Sequence, residues 1–237
     1  MNVNKYIFCA IDFKHIEQVE KIISTIKDHI GGIKIGLEFF IFNGPKEVIK
    51  LKKFKLPIFL DLKFLDIPNT VSQAILSTEI IEPEYLSVHL NGGRKMLEEI
   101  SRIKNKKTKI IGVTMLTSMD RIDLKNLSIN QDPEEYVYSL VNLAIKSNLD
   151  GIVCSPQELV YFKKKSKNNL IYITPGIRLK KSKDDQKRTL TPGEAIKNGA
   201  DILIIGRPIT QSKNPVQAIN KIKNDIKAKL KLNLDEN

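Results

Sequence analysis

Eight times along the chain a short apolar or β-branched run is followed by a longer stretch of helical period, and no other pattern in it restricts the fold as severely. The runs are YIFCAID (6–12), GIKIGL (32–37), PIFLDLKF (57–64), YLSVHL (85–90), KIIGVTML (109–116), GIVCS (151–155), LIYITPG (170–176) and DILIIGR (201–207). A helix between two strands returns the chain so that the strands run parallel, so the repeat predicts βα units. In HIEQVEKIISTIKDHI, for example, Ile16, Val19, Ile22, Ile23 and Ile26 fall on one helical face. No Ser/Gly-rich linker divides the units, and 237 residues suit the ~250 of a closed barrel. The expected fold is α/β, a single (β/α)8 TIM barrel occupying residues 1–237. An open dinucleotide-binding sheet is disfavoured because AIDFK, after the first strand, has no glycine for a pyrophosphate turn.

With 41% apolar residues, 12 Gly and 10 Pro, the chain has the material for a large core and is not of disordered composition. Its net charge of +12 is compatible with a polyanionic partner, but the lysines are scattered along polar helix faces without a compact basic module or interleaved aromatics. No nucleic-acid partner is therefore expected. Cys9 and Cys154 each sit inside an apolar run without a CxxC partner, as buried thiols in a reducing compartment do. The first apolar run meets Asp12 too soon for a signal peptide, and no stretch approaches the ~20 apolar residues of a membrane span. A soluble, cytoplasmic protein is expected.

In such barrels the chemistry lies at the carboxyl ends of the strands. The polar residues there are Asp12, Lys34, Asp61, Lys63 and Asp66, His89 and Asn91, Thr114, Thr117 and Ser118, Ser155, Arg178 and Arg207. Within FLDLKFLDIPNT (59–70), alternation sets Asp61 and Lys63 on one face and Leu62 and Phe64 on the other. The ionic face belongs to the barrel mouth, beside Lys34 of the neighbouring strand. Charges at that depth persist only as a network of alternating sign. A Lys flanked by carboxylates stays an ammonium, which makes it a poor Schiff-base nucleophile but a good fixed cation and proton donor. Decarboxylation or proton transfer at carbon is the reaction class implied.

IIGRPI, with Gly206 and Arg207 at the end of the eighth strand, and PGIRLKKSKDDQKR, with Arg178, Gln186 and Arg188 after the seventh, lie where barrels bind phosphate. The second of these is also a candidate closing loop. His15, His29 and His89 show no metal-ligand spacing, and His89 is expected to be a hydrogen-bonded structural residue. No metal site or Ser-His-Asp arrangement is expected.

AIDF, KIG, DLKFLDIPNT, VHLNGG, VTMLTSM, CSPQE, TPGIR, DQKR, TPGEAI and IGRPIT occur in that order. Carrying them, the whole chain resembles the orotidine 5′-phosphate decarboxylases of the shorter bacterial type. The D-x-K-x-x-D-I-x-x-T motif is specific in that setting, whereas the terminal GR also occurs in other phosphate-binding barrels. The resemblance implies conversion of orotidine 5′-phosphate to UMP and CO₂ in pyrimidine biosynthesis, without metal or organic cofactor. By the same resemblance, Lys63 protonates C6 after CO₂ leaves and Asp61 lies beside the substrate carboxylate. Asp66 and Thr70 act in the partner's site of a homodimer. Asp12 and Lys34 hold ribose hydroxyls, Thr117 and Ser118 lie near the pyrimidine, and Arg178, Gln186, Gly206 and Arg207 bind phosphate. The sequence departs from the family pattern at Leu65, where a His is usual, at Leu90-Asn91 in place of Ala-Ser, and in a shorter Arg178-to-Gln186 stretch lacking its glycine.

Two alternatives remain at this stage. Sister barrels that act on sugar phosphates share D-x-K-x-x-D but use Mg²⁺, and carry an acidic ligand where this chain has Lys34. A non-catalytic basic barrel binding nucleic acid is the alternative of another class, and would leave the buried charges unexplained.

Overall fold

A computed structural model describes residues 2–165, 168–179 and 189–235. Eight strands, β1 (Ile7–Ile11), β2 (Gly32–Gly36), β3 (Ile58–Phe64), β4 (Tyr85–His89), β5 (Lys109–Val113), β6 (Gly151–Val153), β7 (Ile171–Thr174) and β8 (Ile202–Ile205), pair in sequence order. Every pair is parallel, and β8 closes on β1 through Ile7↔Leu203 and Phe8↔Ile204. The expected closed (β/α)8 barrel is what forms.

The helices among the described residues are α1 (Ile16–Ile26), α2 (Leu37–Lys50), α3 (Pro68–Ser77), α4 (Gly93–Ile103), α5 (Arg121–Asn126), α6 (Pro133–Lys146), α7 (Pro156–Lys165), α8 (Pro192–Lys197), α9 (Arg207–Thr210) and α10 (Pro215–Asp235). Their apolar faces cover the outside of the barrel; in α1, Val19, Ile23 and Ile26 are fully buried while Ile16 and Ile22 pack at the margin. None of them is long and apolar enough to cross a membrane.

Alternation along the strands divides the apolar side chains into two bodies. One lies between strands and helices, and includes Cys9 and Cys154. The other fills the barrel interior with Phe8, Ala10, Phe59, Ile111, Ile173, Ile202 and Ile204. Gly32, on β2 beside Phe8, is required by that interior, since a Cβ there would fall 2.4 Å from the Phe8 ring. Both cysteines are buried and in no disulfide, as their apolar settings predict. Burial, with a smaller push from the Asp12 charge, drives the Cys9 thiol far above its ordinary range, so it is inert as a nucleophile.

The strands end earlier than the sequence runs suggest. KIIGVTML pairs only as far as Val113, and Met115 to Thr117 leave the ladder to line the cavity above it. The β3–β4 pair is irregular as well: Leu60 faces Leu86 but Phe64 faces Val88, so four residues of advance on β3 match two on β4. That surplus contains Asp61, Leu62 and Lys63.

Candidate active site

At the carboxyl ends of the strands a cavity of about 260 Å³ opens, with an apolar floor of Ala10, Phe59, Val113, Val153 and Ile204. Its charged wall is a chain of alternating sign. Lys63 Nζ donates to Asp61 Oδ2 at 2.8 Å, Lys34 Nζ stands 3.7 Å from the same oxygen, and Lys34 Nζ reaches Asp12 Oδ1 at 3.3 Å. These residues come from β2, β3 and the residue after β1, so the parallel pairing of three neighbouring strands is what assembles them. Gly36 keeps the junction open, because a Cβ there would sit 2.8 Å from Lys34 Nζ.

Asp61 is the buried member of this chain, with 8% of its surface exposed. Burial alone would raise its carboxyl, since a desolvated carboxylate costs several kcal/mol. The Lys34 and Lys63 ammonium groups, with hydrogen bonds from Lys63 and Ser87, outweigh that cost and hold it below its ordinary value. The carboxylate is therefore a permanent anion near neutral pH. It lies against a cation and an apolar floor, an arrangement able to hold charge developing on a carbon atom.

Asp61 and Lys63 share the cavity side while Leu62 joins the outer core, as alternation predicts. They do so on an irregular strand, because Lys63 has φ +52°, in the left-handed region. A side chain there costs about 1–3 kcal/mol and persists only where its surroundings hold it. Part of that hold is Ser87 of β4, fully buried, whose Oγ accepts from Lys63 N at 2.8 Å and donates to Asp61 Oδ1 at 2.9 Å. Sequence reasoning missed Ser87. The signal was that YLSVHL sets it on the inward face between Tyr85 and His89.

Across the cavity lie Gly206 and Arg207, where β8 runs into the short α9, and Pro175, Gly176 and Arg178 after β7. Ile177 bridges Leu190, and Arg178 N donates to Leu190 O at 3.0 Å, so the two described ends of the segment after β7 are tied together. Thr117 lines the cavity, and Ser118 is exposed beside it without lining it. Among the described residues the lining carries four cationic side chains, Lys34, Lys63, Arg178 and Arg207, against the carboxylates of Asp12 and Asp61. Gln186 and Arg188 lie outside the described residues.

Asp66 and Thr70 do not join this cavity. Both are exposed past the end of β3, and Asp66 Oδ1 accepts from Ile67 N at 2.7 Å. Other polar strand ends are structural. Thr114 Oγ1 donates to Val153 O at 2.8 Å, Ser155 N donates to Glu158 at the start of α7, and Asn91 accepts from Tyr136. His89 departs from the expected hydrogen-bonded structural residue at one atom, since its buried Nδ1 has no partner among the described residues. Burial, then the nearby Lys63 charge, push its imidazole below the ordinary value, so it is neutral at pH 7. Among the described residues no cluster of three or more His, Cys, Asp or Glu side chains has the arrangement of a metal site.

Comparison with known proteins bears directly on this geometry. Orotidine 5′-phosphate decarboxylase of Sphingopyxis alaskensis is 45% identical over 217 residues, covering 91% of this chain and 96% of that protein. The protein of the same name from Wolbachia pipientis subsp. Culex pipiens is 43% identical with the same coverage. The crystal structure of orotidine 5′-phosphate decarboxylase from Lactobacillus acidophilus superposes with a TM-score of 0.81 at 31% identity, covering 93% of this chain and 98% of that one. With a family model matching residues 5–222 as well, the chain belongs to the orotidine 5′-phosphate decarboxylase / HUMPS family.

Proposed function

We propose that the protein decarboxylates orotidine 5′-phosphate to UMP and CO₂, serving pyrimidine biosynthesis in the cytoplasm, with its own side chains as the catalytic groups. The observation that carries this reading is the Lys63 ammonium held 2.8 Å from a buried, ionised Asp61, over an apolar floor and opposite Arg207. Arg178, Gly206 and Arg207, with Gln186, bind the phosphate. Asp12 and Lys34 hold ribose hydroxyls, and Thr117 and Ser118 face the pyrimidine. The substrate carboxylate then lies against Asp61. When the C6–carboxylate bond breaks, its electron pair stays on C6. The Lys63 ammonium stabilises that carbanion, donates a proton to it, and recovers one from solvent.

Asp66 and Thr70 act in the site of a second copy. Their exposure supports this, as do the flanking Leu65 and Ile67, which expose 53% and 67% of their surface beside them. The partner's Asp66 would then extend the alternating array beyond Lys63. Against the Mg²⁺-dependent sister reaction stands Lys34, whose ammonium lies between Asp12 and Asp61 and would repel a divalent cation. The basic nucleic-acid-binding reading leaves that buried array without a purpose.

Loss of ultraviolet absorbance as orotidine 5′-phosphate is consumed tests the proposal. Turnover is expected in the presence of EDTA, and Arg207→Ala should raise KM by roughly ten- to a hundredfold by removing a charge-assisted phosphate contact. Absence of turnover in chelated wild-type protein overturns the reading; an unchanged KM removes Arg207 from it.

A further inference from the structure

The irregular β3–β4 pair leaves one polar side chain facing the surplus residues of β3. Ser87 lies between Leu86 and Val88, which pair with Leu60 and Phe64 on either side of the arch. Its hydroxyl has a single proton. The backbone N–H of Lys63 can only donate, so at 2.8 Å it must use a lone pair of Oγ, and the hydroxyl proton goes to Asp61 Oδ1 at 2.9 Å. Asp61 Oδ1 is thereby occupied by Ser87, which leaves Oδ2 to Lys63 and Lys34. One buried hydroxyl thus fixes the backbone turn that aims Lys63 and the rotamer of the carboxylate that holds its ammonium.

We propose that Ser87 is a positioning residue for the decarboxylation, locking Lys63 and Asp61 into one geometry through a single hydroxyl that itself touches no substrate. Ser87 is absent from the cavity lining, so its influence passes through those two residues. A serine at this point is not needed to fill space, and an apolar side chain on the same inward face would match Phe59 and Ile111 beside it. The groups around Asp61 are Lys34 of β2 with Asp12 beyond it, Lys63 of its own strand and Ser87 of β4, while the neutral His89 of β4 lies near Lys63. Among them Ser87 is the neutral donor to the carboxylate. Losing a donor to an anion disfavours the anion, so removal of the hydroxyl raises the Asp61 carboxyl and moves the acid limb of kcat/KM to higher pH.

The inference rests on the decarboxylase reading, and its test separates the two. In Ser87→Ala, kcat for orotidine 5′-phosphate should fall roughly ten- to a hundredfold with KM little changed, and the acid limb should shift upward. Ser87→Thr, which keeps the hydroxyl, should recover most of the rate and the wild-type limb. Ser87→Cys preserves size with a poor donor, and should show the same fall in kcat and the same shift of the limb in a folded protein even where the alanine variant does not fold. Wild-type kcat and limb in Ser87→Cys would overturn the proposal, as would a loss in which kcat and melting temperature fall while KM rises, with the limb unmoved. If wild-type protein fails to turn over orotidine 5′-phosphate, the decarboxylase reading falls and takes the catalytic part of the proposal with it, leaving the claim that the hydroxyl locks Lys63 and Asp61. Carbon-13 NMR titration of the Asp61 carboxyl in wild type and Ser87→Cys then decides whether the hydroxyl governs that group, and coincident titrations overturn the proposal.

Discussion

Lys63→Ala is expected to lower orotidine 5′-phosphate turnover by at least about 10⁴-fold, because one substitution removes both the cation facing the carbanion and the proton that quenches it. Each role alone is worth about 10²–10⁴ in comparable settings, and no other side chain among the described residues is placed to assume both. Lys34 stays, 3.7 Å from Asp61 Oδ2, so the carboxylate keeps one ammonium partner and loses the other, which raises its carboxyl towards the ordinary value. Alanine inherits the left-handed backbone at this position, so any change in melting temperature reports the lost ion pair rather than altered strain. Activity is read by the ultraviolet assay on protein whose melting curve shows it folded. Turnover within tenfold of wild type would remove Lys63 from the chemistry.

Mixing this variant with Asp66→Asn should bring activity back. Each protein alone is expected to be nearly inactive, the first for want of its own lysine and the second for want of its partner's aspartate. In a hybrid dimer one site loses both groups and the other regains both. Random pairing makes half the dimers hybrid with one intact site each, so the mixture should reach about one quarter of wild-type activity. The exchange is followed with differently tagged chains, so hybrid formation is measured separately from rate. Inactive mixtures containing hybrids would place Asp66 in its own subunit's chemistry.

Much of this was legible in the sequence because it depends on periodicity. Eight alternating segments suffice to specify a parallel barrel, and the side-chain period of two puts Asp61 and Lys63 on the face opposite Leu62 whether or not the strand is regular. What stayed hidden depends on where regularity fails. The left-handed turn at Lys63 arises from the pairing of β3 with β4, a contact between segments more than twenty residues apart. Ser87 has meaning only beside that turn; in a strand read alone it is one small polar residue. Thr114 and Ser155 occupy strand ends as Thr117 does, yet Thr114 binds a neighbouring strand's carbonyl and the Ser155 backbone caps α7. Residue type at a strand end cannot distinguish a tie from a ligand until the neighbouring strand is in place.

Among the described residues, the balance of four cations to two carboxylates in the cavity also bears on how a ligand arrives. A molecule carrying both a phosphate and a carboxylate meets a positive field at the barrel mouth before it touches any residue, on a protein whose overall charge of +12 has the same sign. Apolar walls focus such fields, and encounter by attraction is quickened at low ionic strength and slowed as mobile ions screen it over about 10 Å. The scattered lysines that form no compact patch should therefore act collectively on the rate of capture, so that kcat/KM falls with rising ionic strength while kcat holds.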